Sequence, residues 1–171
     1  FAVDLENDPT VPVRSSDHDP LVAELVVPGF VEADLSTKVF PPFGTVREGT
    51  TAVFRTVVTN LGGGQAYGAT VDFTLDADAS QVLRVTAPGW NCGAPSGPAG
   101  EVRFSCSRDQ AMEPARIDLI KIELIARRDG ALGVLGVQAE VDTRSNDPQA
   151  ANDADGASVP VVGRPNWGGR F

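Results

Sequence analysis

The sequence contains few of the side chains on which most enzyme mechanisms depend. Its 171 residues include one histidine, His18, which lies in a polar stretch. A serine or cysteine nucleophile would therefore have only His18 as its base, and no Gly-x-Ser-x-Gly sequence is present. The glycines at 62–64 are not followed by the Lys-Ser/Thr of a phosphate-binding loop. We predict that the protein is not an enzyme.

Basic residues and long apolar runs are also scarce. The chain has 14 Lys and Arg against 23 Asp and Glu, for a net charge of −9. This balance argues against a nucleic-acid partner, because phosphate contacts require clustered Lys and Arg. No stretch approaches the roughly 20 apolar residues of a membrane-spanning helix, since Glu24, Gly29 and Arg55 interrupt the longest ones. We expect a protein that is not inserted in a membrane.

The acidic charge is concentrated at the N-terminus. Residues 1–30 hold six acidic residues against Arg14 alone, a balance of −5. The first 20 residues are polar and proline-rich and predict irregular coil. We divide the chain into an N-terminal arm (1–31), a folded domain (32–163) and a C-terminal tail (164–171). The chain begins at Phe1, for which a cleaved signal peptide and an artificial boundary are both explanations.

Inside the arm, residues 21–27 form an apolar run that ends at Pro28. Its composition predicts an extended strand, because Leu21, Ala23, Leu25 and Val27 would share one face. Val22 and Val26 lie on the other face, so both sides of this strand are suited to burial.

From residue 32 onwards, short runs with period-two alternation are separated by Gly, Pro, Asn and Asp. This pattern predicts an all-β, immunoglobulin-like antiparallel sandwich of 7–8 strands. The predicted strands are 33–40, 51–60, 67–76, 81–87, 101–107, 116–127, 133–142 and 156–163. Residues 117–125 also fit an amphipathic helix, but their density of isoleucine favours a strand. The predicted core residues are Phe54, Val58, Val71, Phe73, Phe104, Ile122, Leu124, Val137 and Val141.

The two cysteines, Cys92 and Cys106, flank a segment rich in Gly, Pro and Ser. A disulfide closing such a loop is worth roughly 3 kcal/mol in the chain-entropy model and would point to an oxidising compartment. Two buried free thiols are the alternative, and a metal or redox pair is a weaker one, because the spacing is not Cys-x-x-Cys.

Several short motifs occur in a characteristic order. They are Val57-Val58-Thr59-Asn60-Leu61-Gly62, Trp90-Asn91-Cys92, Phe104-Ser105-Cys106, Asn146-Asp147-Pro148 and Ala151-Asn152-Asp153. Over roughly residues 33–163 the chain resembles the bacterial and archaeal cell-surface repeats known as domain of unknown function eleven. The resemblance implies an immunoglobulin-like sandwich, a disulfide between Cys92 and Cys106, an exported protein and no enzymatic activity. The chain differs from the family in having one copy of the domain and an N-terminal arm.

An acid-rich segment near the end of the domain offers candidate ligands for a cation. Calcium binds six to eight oxygen atoms, and this segment supplies many within a few residues. Bracing of a long connection by side chain-to-backbone hydrogen bonds is the alternative explanation. The candidate metal ligands are Asp142, Asn146, Asp147, Asn152, Asp153 and Asp155.

Two non-enzymatic functions follow from the sequence. The first is a subunit of an extracellular filament, in which Leu21–Val27 of one copy adds a strand to the sandwich of the next. Its partners would be copies of the same chain, joined head to tail. The second is a monomeric adhesive or recognition module of a larger surface protein. In both cases we expect a secreted or cell-surface location and, apart from calcium, no cofactor.

Overall fold

The computed structural model describes residues 31–78, 81–127 and 133–163. These ranges contain ten β-strands and one short 3-10 helix at Ala150–Asn152. The strands are β1 (Leu35–Phe40), β2 (Val46–Arg47), β3 (Thr51–Asn60), β4 (Thr70–Leu75), β5 (Val82–Thr86), β6 (Asn91–Cys92), β7 (Val102–Ser107), β8 (Ile117–Ile125), β9 (Val134–Asp142) and β10 (Ala154–Val162).

The strands form two sheets that pack into an immunoglobulin-like sandwich. The four-stranded sheet has the order β1-β3-β8-β5, and the six-stranded sheet has the order β2-β10-β9-β4-β7-β6. All pairs are antiparallel except that of β2 with β10. Such a sandwich buries one face of each sheet and exposes the other, which explains the alternating pattern of the sequence.

The eight predicted strands are all present, and the fold class is confirmed. Sequence reasoning missed β2 and β6, which have two residues each and are too short to show a period. The segment that also fitted a helix is β8, which lies between β3 and β5. Its even-numbered residues Asp118 to Leu124 face the interior, and its apolar odd-numbered residues are partly exposed.

The core lies between the two sheets. Phe73 of β4 stacks on Phe104 of β7, with ring centroids 4.8 Å apart. All nine predicted core residues are buried. The other largest buried side chains are those of Leu35, Leu75, Val102, Met112, Ile120 and Leu135.

One side of the sandwich is closed. Strand β1, although it belongs to the four-stranded sheet, also lies against β9 and β10 of the other sheet. On the opposite side, β5 ends the four-stranded sheet and β6 ends the six-stranded one. On the closed side β1 therefore lies against the other sheet, whereas on the opposite side β5 and β6 are the outermost strands of their sheets.

Candidate functional site: strand edges and sheet faces

The two cysteines form a disulfide, as predicted. Cys92 of β6 lies directly opposite Cys106 of β7. The pair therefore ties the outermost strand of the six-stranded sheet to its neighbour. The residues after β6 also cover the edge of β7, because the N–H groups of Gly93 and Ser96 donate to the carbonyls of Ser105 and Arg103.

A buried network of charged side chains lies close to this disulfide in the sequence. It links β8 to the loops that follow β5 and β7. The Asp118 carboxylate of β8 accepts hydrogen bonds from Trp90 Nε1 at 3.1 Å, Arg108 Nη1 at 2.8 Å and Arg116 Nε at 2.9 Å. The side chains of Arg108 and Asp118 are 4% and 6% exposed. Sequence reasoning missed this network, because charged residues are rarely buried unless they are paired and the pairing depends on the fold.

Two of the predicted calcium ligands accept hydrogen bonds from the edge of β1. Asp147 Oδ2 accepts a hydrogen bond from the Leu35 N–H at 2.6 Å, and Asp155 Oδ2 accepts one from the Val39 N–H at 2.8 Å. Asp155 also forms an ion pair with Lys38 at 3.1 Å. Burial by itself would raise the pKa of Asp155, but these bonds outweigh it and lower that pKa. The two carboxylates thus cap N–H groups that β1 would otherwise offer to a further strand.

Three other predicted ligands form hydrogen bonds with separate partners. Asn146 Nδ2 donates to Glu32 Oε1 at 2.6 Å, and Asn152 Nδ2 donates to Asp34 Oδ1 at 2.8 Å. Asp142 Oδ1 accepts from the Thr143 N–H at 2.8 Å. Within the described ranges, no three His, Cys, Asp or Glu side chains converge as metal ligands. The hydrogen bonds of this segment brace it against neighbouring residues, and calcium binding there stays a prediction.

Asp153 is an exception, because its Oδ1 is buried without a hydrogen-bond partner. Burial and the nearby carboxylates of Asp147, Asp34, Asp142 and Glu140 raise the pKa of Asp153. The surroundings therefore disfavour the ionised form of Asp153, whereas they favour the ionised form of Asp155.

The outward side of the four-stranded sheet carries basic residues and is called here the basic face. It presents the basic residues Lys38 of β1, Arg55 of β3, Lys121 of β8 and Arg84 of β5, together with the acidic Glu123 of β8. Arg55 lies directly opposite Lys121. Like charges in this position repel each other and destabilise the sheet.

Exposed apolar side chains adjoin these charges. Phe40, next to Arg55 across the sheet, is 47% exposed, and Leu119, two residues from Lys121, is 42% exposed. Ile117, at the beginning of β8, is 66% exposed. The face therefore combines positive charge with exposed apolar side chains.

The outward side of the six-stranded sheet has the opposite charge. Asp72, Asp76 and Glu140 are among the residues that line an open groove there. Gly136 lies under the carboxylate of Asp76, so closely that a Cβ at this position would meet Asp76 Oδ2.

The arm residues Leu21, Ala23, Leu25 and Val27, together with His18, lie outside the described residues. In the part that is described, no helix is long and apolar enough to cross a membrane.

Comparison with known proteins found similarities of structure only. No family model and no curated protein matches it. The CARDB domain of the PF1109 protein from Pyrococcus furiosus, crystallised in complex with di-metal ions, is similar with a TM-score of 0.54 and 16% identity over 77% of this chain and 90% of that one. The solution structure of the same domain gives a TM-score of 0.50 and 17% identity, over 77% and 97% of the two chains. An immunoglobulin-like protein from Nocardia farcinica gives a TM-score of 0.45 and 15% identity, over 72% and 97%.

The two similarities to the CARDB domain agree with the observed sandwich fold. The disulfide and the fold are compatible with an extracellular domain. The resemblance to the surface repeats agrees with this fold, although no family model supports that particular family.

Proposed function

We propose that this domain is a non-enzymatic structural subunit of an extracellular assembly, in which copies are joined by strand addition. The donor is Leu21–Val27 of one copy, and the acceptor is the free edge of β5 in the next. The observation that carries the proposal is the contrast between β5 and the other strand edges.

The other edges of the described sandwich are short or protected. Carboxylates cap β1, and the segment from Asn91 to Ser96 covers β7. The outermost strands of the six-stranded sheet, β2 and β6, have two residues each. Strand β5 has five residues, and nothing in the described ranges pairs with its outer side. Backbone pairing along such an edge is how an extended peptide joins a sheet.

The side chains of β5 also leave apolar area to be covered. Val82 and Val85 pack against the core but are only partly buried, and Leu83 is 51% exposed. A strand alongside β5 would shield them. Burial of the three large aliphatic side chains on one face of the donor contributes about 5–9 kcal/mol, before the cost of ordering the arm. Because donation from head to tail does not close on itself, the product is a fibre.

A monomeric recognition module is the second candidate, and the irregularity of β5 favours it. The register shifts between Val82 and Arg84, and the strand carries a charged residue. Bulges and charges are devices by which proteins protect an edge from pairing. In this case the arm would be a linker within a larger surface protein.

Light scattering after size-exclusion chromatography, combined with negative-stain microscopy, distinguishes the two candidates. We expect the wild-type chain to form concentration-dependent polymers and Leu25→Asp to remain monomeric, because a carboxylate would enter the apolar contact. Val13→Asp, in the same arm but outside the donor segment, is the matched control and should assemble. A wild-type chain that is monomeric at every concentration would favour the recognition module.

A further inference from the structure

We infer that the basic face is a docking surface for the acidic arm of a second copy, with Arg55 and Lys121 receiving carboxylates that precede the donor strand. This inference rests on the proposed assembly and adds to it the surface that the arm crosses.

The first argument is that Arg55 and Lys121 have no counter-charge among the described residues. Arg55 and Lys121 face each other on neighbouring strands, and neither forms an ion pair or a side-chain hydrogen bond with another described residue. By contrast, Lys38 on the same face is neutralised by Asp155. In a protein with a net charge of −9, an unpaired like-charge pair breaks the local rule for stable sheets. Such violations are expected where a surface has a binding role.

The second argument is the complementarity of the arm. Residues 1–30 carry a balance of −5, and Asp17 and Asp19 come immediately before the apolar donor segment. On the basic face, Lys121 of β8 lies on the strand next to β5, and Arg55 of β3 lies one strand further away. A donor strand on the edge of β5 would therefore bring its preceding acids to the neighbouring basic residues.

The third argument concerns reach and favours a second copy over the same chain. The described chain begins beside the turn that follows β3, where the Gly64 N–H donates to the Glu32 carbonyl. This is the Ile117 end of β8, because Thr59 near the end of β3 pairs with Ile117. Lys121 lies four residues along β8, about 13 Å away, whereas an extended arm would carry Asp19 about 40 Å from its exit. The reach of an extended arm therefore exceeds the distance to its own Lys121 and is long enough for contact with a neighbouring copy.

The sequence makes this surface easy to probe, because its two lysines, Lys38 and Lys121, both lie on the basic face. A carbodiimide joins an amine directly to a nearby carboxylate. We would mix unlabelled and ¹⁵N-labelled full-length chains under assembling conditions, treat them with carbodiimide and identify the linked peptides by mass spectrometry. The Lys38–Asp155 pair, within one chain, is the internal control for the reaction.

We expect peptides of mixed isotope content that join Lys121 to a carboxylate of residues 1–24. Links from Lys121 to the arm within one chain only, or to the acidic groove of the six-stranded sheet, would overturn the inference. An absence of links from Lys121 in polymers that do form would overturn it too, and would leave strand addition at β5 standing. A chain that does not polymerise would overturn both proposals.

A pair of variants provides an independent test. Arg55→Ser combined with Lys121→Ser should weaken assembly about 2- to 30-fold, the amount expected for two exposed ion pairs. It should also reduce the salt dependence of assembly and leave the melting temperature of the monomer unchanged or raised. Arg103→Ser, which removes an exposed cation of the six-stranded sheet, is the matched control. Equal assembly of the double variant and the wild type would contradict the inference.

Discussion

The buried carboxylate of Asp118 gives the strongest prediction for the stability of the fold. Replacing Asp118 with Leu leaves the Arg108 guanidinium buried without its counter-charge. The Nε of Arg108 already has no hydrogen-bond partner, so the group cannot compensate locally. The variant would also remove the acceptor of the Trp90 indole N–H. The side chain therefore serves three donors at once.

The expected magnitude follows from burial. Removing one partner of a buried ion pair typically costs about 3–5 kcal/mol. The bond from Arg116 adds little, because that side chain is 46% exposed, and exposed ion pairs contribute about 0–1 kcal/mol. A loss of this size is a large fraction of the 5–15 kcal/mol by which most domains are stable.

Urea unfolding monitored by tryptophan fluorescence measures this loss as a decrease in the free energy of unfolding. Arg116→Leu serves as the control and should change that energy by less than about 1 kcal/mol. The double variant Arg108→Leu, Asp118→Leu should be more stable than Asp118→Leu alone, because no buried charge then lacks a partner. A single variant that loses less than about 1 kcal/mol, or a double variant that loses more than the single one, would refute this reasoning.

Three further predictions concern other parts of the domain. Phe73→Ala should lower the free energy of unfolding by about 3–5 kcal/mol, whereas Phe43→Ala, at a fully exposed position, should change it little; equal midpoints in urea would contradict the β4 register. Asp153→Asn should raise the melting temperature near pH 7. Because the folded-state pKa of Asp153 lies above 3.8, its carboxylate destabilises the fold above that pKa, and the gain should disappear as the pH falls below about 4. Intact-mass measurement should show a gain of two hydrogens when the Cys92–Cys106 disulfide is reduced, and native protein that already has this mass would exclude the bond.

The strands could be predicted because their signal is local. In β3, for example, Phe54 and Val58 alternate with Arg55 and Thr59, so the sequence itself shows which side is buried. The same alternation identified β8, where a helix was the alternative. In β2 and β6 two residues are too few for any such pattern.

The features that shape the candidate site depend on long-range pairing, which the sequence does not show. Asp147 and Asp155 lie 112 and 116 residues from the N–H groups that they cap. Their density of oxygen atoms predicts calcium, but the sequence does not reveal that these carboxylates also accept hydrogen bonds from β1. The opposition of Arg55 and Lys121 likewise requires the register of β3 on β8.

Hydrogen–deuterium exchange of the full-length chain, measured as a function of protein concentration, tests the central claim most directly. If the arm of one copy adds a strand to β5 of the next, the amides of Val82–Thr86 should become protected as polymers form, and the amides of Leu21–Val27 should become protected with them. Strand β7, whose edge is already covered, should exchange at the same rate throughout. Exchange in β5 that does not change with concentration, in samples that polymerise, would contradict strand addition at this edge.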